Sequence, residues 1–90
     1  MAMADLAMEK GHLAQADRHV IEGERRIAQQ TELVEHIRQK GAYGAAEAER
    51  LLQTLRETLE TWRSHRENIV EAIARLEGEI ASKPAPKPAE

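Results

Sequence analysis

Ninety residues allow one domain, and a hydrophobic content of 41% with only 2% aromatic implies an interior of Leu, Ile, Val and Ala. With 32% charged residues and abundant Ala, Glu, Leu and Arg, the composition is that of long helices and coiled coils. The lack of cysteine excludes disulfides and thiolate metal sites, and the charges, −3 in net, are distributed so that no segment makes a basic stripe, which weighs against nucleic acid or an anionic membrane as partner.

The opening "MAMADLAMEK" lacks the basic region and long apolar stretch of a secretory signal. No apolar run approaches the ~20 residues of a membrane span, so a cytoplasmic protein without a membrane partner is expected. The first predicted helix covers about residues 5–40. Leu6, Leu13, Val20, Ile27 and Val34 recur every seven residues, with Glu9, Ala16, Gly23, Gln30 and Ile37 at the companion position. A seven-residue repeat held this long describes one stripe on a supercoiled helix. Asp5 is the expected N-cap, and Gly41, following Arg38 and Lys40, the expected stop.

The turn is "GAYG", residues 41–44. Its two glycines suggest a phosphate cradle, but a phosphate loop needs a preceding strand and a Lys-Ser/Thr pair, and both are missing. It reads as a plain turn, with the Tyr43 ring resting on the bundle end. The second helix covers about 45–81. Ala45, Leu52, Leu59, Ile73 and Ile80 form one series, interrupted by Arg66, while Ala48, Leu55, Trp62, Ile69 and Leu76 form the other. Gly44 is an acceptable N-cap, with Glu47 three residues on. The Pro-, Lys- and Ala-rich tail, 82–90, is expected to be extended and disordered.

Two equal helices joined by so short a turn fold back as an antiparallel hairpin spanning residues 1–81. Facing pairs are then Ile37 with Ala48, Val34 with Leu52, Ile27 with Leu59, Ala16 with Ile69, Leu13 with Ile73, and Gly23 with Trp62. The last pair explains a glycine in mid-helix. Gly costs about 1 kcal/mol there relative to Ala, whereas burying much of a Trp returns about 2–3 kcal/mol. One seam buries little, and Leu33, Leu51, Val70 and the row Ala7, Ala14, Ile21, Ala28 lie outside it. Self-association of two hairpins into a four-helix bundle is the expected way to cover them, with another helical protein as the alternative partner.

Chemistry is sparse. Glu9 and His12 have Glu-x-x-His spacing, His19 lies one heptad on, and the hairpin brings His65 near His19. Carboxylate-bridged metal bundles also need inward Glu residues from the other helices, and neither core series of helix 2 has one. These four are therefore weak metal candidates, and solvated edge histidines are the expectation. Arg66 is expected to snorkel and pair with Asp17, Glu22 or Glu24, and Gln30 to fix register at the seam. Ser64 and His65, being adjacent on a helix, point about 100° apart and make no nucleophile–base pair. No catalytic residue, cofactor or enzyme activity is expected. The function expected is an interaction or assembly module; the alternative is a small RNA- or protein-binding regulator of the Rop-like hairpin type, an analogy of architecture alone. Against RNA, Glu22 and Glu24 interrupt the cluster Arg18, Arg25 and Arg26.

The stretches "HLAQADRHVIEGERRIAQQ" and "AEAERLLQTLRETLETWRSHRENI" resemble a group of short bacterial proteins described only as hypothetical. The shared features are His12-Leu13, Ala16-Asp17-Arg18-His19, Gly23-Glu24, Arg26-Ile27, Ala48-Glu49 with Leu51-Leu52, and His65-Arg66, over roughly residues 12–70. That group commonly ends its turn in an Asp-Thr type cap; Tyr43-Gly44 here implies a less sharp start to helix 2. The resemblance implies a bacterial cytoplasmic setting and brings no activity, cofactor or site.

Overall fold

A computed structural model describes residues 2–41 and 43–82. It contains two α-helices, α1 (Ala2–Lys40) and α2 (Ala45–Ser82), and no strand among the described residues. At 1.5 Å rise per residue each is about 58 Å long. They run antiparallel, since Asp17 of α1 pairs with Arg66 of α2 while Arg38 pairs with Glu49. Among the described residues no helix is long and apolar enough to cross a membrane.

Helix ends follow the local chemistry, with corrections. α1 begins at Ala2, so Asp5 is not its cap but an acid within the first turn. Ala2, Met3 and Ala4 are good helix formers with nothing to stop them, and the Asp5 charge still complements the positive end of the dipole. Gly41 ends α1 at φ +61°, its N–H donating to the Arg38 carbonyl at 3.2 Å. That left-handed conformation is cheap only for glycine. Gly44, at φ +99°, accepts the first bond of α2 from the Ala48 N–H at 3.0 Å, as an N-cap does. Tyr43 does not rest on the helix ends; it is fully exposed at the tip of the turn. Ser82, expected in the tail, is the last residue of α2, and the remainder of that tail lies outside the described residues.

The seam buries Ala16, Val34, Ala48, Leu52, Leu59, Ile69 and Ile73. These separate into two clusters. Near the open end, Ala16, Ile69 and Ile73 pack with Leu6 and Leu13. Near the turn, Val34, Ala48 and Leu52 pack with Ile27 and Ile37. Val20, Gly23, Leu55, Trp62 and Leu76 are half-buried along the same seam. Leu59 lies between the clusters, against Gly23.

Candidate functional site

The middle of the rod is where the chain places its ring-bearing and ion-paired residues together. His19 comes from α1; Trp62 and His65, three apart on α2, share a face. The His19 imidazole stacks on the indole with centroids 4.0 Å apart and planes 13° from parallel. His65 meets the same indole edge-on at 5.7 Å and 68°. Such contacts contribute about 0.5–1.5 kcal/mol each beyond area burial.

This arrangement corrects the expected Gly23–Trp62 pair. A Cβ added at Gly23 would lie 3.2 Å from Leu59 Cδ1 and 3.7 Å from Leu59 Cβ, so leucine fills the notch. The facing residue is one turn earlier on α2 than expected, and Trp62 is correspondingly carried past Gly23 onto His19. The physical motive for a small residue survives: the helices approach closely where one lacks a side chain. Its occupant is different. Trp62 and Gly23 line only the same shallow groove, of about 50 Å³.

The two edges of the hairpin differ in chemistry. On one, Arg38 pairs with Glu49, Arg63 with Glu24 at 3.8 Å, and Arg66 with Asp17. These are the three ion pairs between helices among the described residues. The Arg66 partner is one of those expected, so the guanidinium that interrupts the α2 core series leans out to this edge. The other edge carries His12, His19, Arg26 and Leu33 from α1, each seven apart, and Leu51, Thr58, His65 and Ala72 from α2. Here no ion pair crosses between the helices among the described residues. Leu33 and Leu51 stand 46% and 49% exposed on it. At the seam itself, the Gln30 Nε2 donates to the Ala48 carbonyl at 2.9 Å, tying α1 to the first turn of α2.

The histidine candidates do not converge. His12 Nδ1 lies 3.7 Å from Glu9 Oε1, one heptad toward the open end from His19. His19 and His65 instead flank an indole, which offers no metal ligand. Among the described residues no three His, Asp or Glu side chains are grouped to hold a metal. Sequence reasoning placed His65 near His19 but missed the indole between them. The i, i+3 spacing of Trp62 and His65 on α2, which sets both on one face, was the available signal. No family model, curated protein or solved structure matches this chain.

Proposed function

We propose that this chain is a non-enzymatic cytoplasmic module that works by self-association, two hairpins pairing into a four-helix bundle. The observation that supports this reading is the imbalance between the seam and what it leaves uncovered. Among the described residues no large side chain is fully buried, while Met8, Ile21, Leu33 and Leu51 remain close to half exposed or more. Full burial of an aliphatic side chain contributes about 1.5–3 kcal/mol, so each half-covered leucine retains about 1 kcal/mol that a second layer would recover. A lone two-helix core of this length is marginal without such a layer.

The test is the mass of the purified chain by light scattering on a sizing column, over a range of micromolar concentrations. Two copies per particle are expected; a single copy throughout would overturn the reading. Nucleic acid that copurifies and stays bound through moderate salt would instead favour the Rop-like regulator.

A further inference from the structure

We infer that the half of the hairpin remote from the turn opens as one unit, its limit at the Gly23–Leu59 contact, while the half beside the turn stays paired. The opening belongs to the single hairpin and does not depend on self-association. Polar ties between the helices are unevenly placed along the rod. Arg38 with Glu49, the Gln30 amide with the Ala48 carbonyl, and Arg63 with Glu24 lie between the turn and mid-rod, and Arg66 with Asp17 is the last. The Gln30 bond is part-buried and carries the most weight, since exposed ion pairs contribute little. Beyond Asp17 and Arg66 no hydrogen bond or ion pair crosses between the helices among the described residues, so residues 2–16 and 67–82 are held by apolar contact alone.

Apolar burial does not offset this difference. Each half has a cluster of three buried residues with two more packed on it, and the two clusters share no residue. Glycine adds to the difference. Gly11 and Gly78 sit in the remote half, where an added Cβ would meet nothing within 4 Å, so packing requires neither and each weakens its helix. On the turn side, residues 24–40 and 45–66 contain no glycine. Topology sets the direction. Separating the remote half leaves the turn-side contacts intact, whereas separating the turn side first would hold a long loop closed by the remote cluster alone, at a cost in chain entropy. Cooperative units of this kind open below the global free energy of unfolding. Opening bares Leu6, Leu13, Ile69 and Ile73, which makes the end opposite the turn the movable one.

Amide hydrogen exchange of the whole chain, read residue by residue by NMR, tests this. Once apart, each remote stretch is a helix of ~15 residues, marginal in water, so its amides exchange on opening. Amides at 12–19 and 66–73 are expected to share one level of protection, at least ~10-fold below those at 27–37 and 49–59. Uniform protection, or a smooth rise from the chain ends to the turn without a step, overturns the unit. Gly11→Ala distinguishes a unit from fraying of single helices. Made in α1, it is expected to slow exchange at residues 69–73 of α2 about fivefold; an unchanged rate there refutes the proposal. Leu52→Ala is expected to speed the turn-side amides at least ~10-fold and leave the remote block within about twofold, because opening the remote half breaks no Leu52 contact. Equal acceleration of both halves would show a single all-or-none hairpin instead. A step seen only at the higher of two protein concentrations about tenfold apart would arise from association and would likewise overturn the assignment.

Discussion

Three glycines lie inside the helices, and the structure makes them respond differently to the same substitution. A Cβ at Gly11 or Gly78 meets nothing within 4 Å, whereas at Gly23 it meets Leu59 Cδ1 at 3.2 Å. Gly→Ala in a helix interior is worth about 1 kcal/mol from propensity alone. Gly11→Ala should yield that full gain, and Gly78→Ala somewhat less because it lies near the fraying end of α2. At Gly23 the same gain is opposed by displacing Leu59, which is 5% exposed and hemmed into the seam. Pushing a packed leucine off its rotamer costs about 0.5–1.5 kcal/mol, so Gly23→Ala should be close to neutral. Leu59→Ala alone should cost about 2–3 kcal/mol, the lower part of the range for buried leucines, because no third layer surrounds it. In that background Gly23→Ala should recover its full gain, a coupling of about 1 kcal/mol. Urea melts followed by far-UV circular dichroism, at one fixed protein concentration, measure all four corners of the cycle. If Gly23→Ala stabilises as much as Gly11→Ala in both backgrounds, Leu59 does not occupy the notch and the close approach argued here is wrong.

Arg66→Leu should stabilise the hairpin by about 1 kcal/mol, since an ion pair this exposed contributes less than about 1 kcal/mol while leucine completes an apolar series; a loss in thermal midpoint would show that the Asp17 contact matters more. Gln30→Ala removes the bond to the Ala48 carbonyl and should cost about 1 kcal/mol in urea melts, with amide exchange increasing first in the opening turn of α2. His19→Ala should lower stability by about 1 kcal/mol through loss of the stack and move the Trp62 emission to longer wavelength as water reaches the indole; unchanged emission would refute the stacked geometry.

Periodicity made the helices legible because it survives any detail of packing: the residues at seven-residue spacing in α2 include every buried position there. Glycines at the turn were equally readable, since Gly41 and Gly44 do take up left-handed φ values. What could not be read was axial stagger. Counting outward from the turn assigns partners only to within one helical turn, and one turn decides whether Gly23 faces Leu59 or Trp62. The start of α1 was misplaced for a related reason. A cap residue is a preference, and with Ala2, Met3 and Ala4 ahead of it Asp5 had no cause to end the helix. Tyr43, expected to rest on the bundle end, is instead fully exposed at the tip of the turn.

The division of charge between the edges carries a consequence for specificity. Exposed ion pairs contribute little to stability, so the three that cross between helices on one edge matter more for what can dock there. Charges that must be stripped of water before a neighbour can dock make burial of this edge costly. The polar middle of the rod acts in the same direction along its length. With Arg66, His19 and Trp62 between two apolar clusters, sliding α1 past α2 by one heptad one way would set Lys10 against Arg66. The other way it would exchange Asp17 for Glu24 and the His19 stack for Arg26, so the polar middle opposes only the first. The seam gives up some apolar burial there and gains an ion pair and a ring stack.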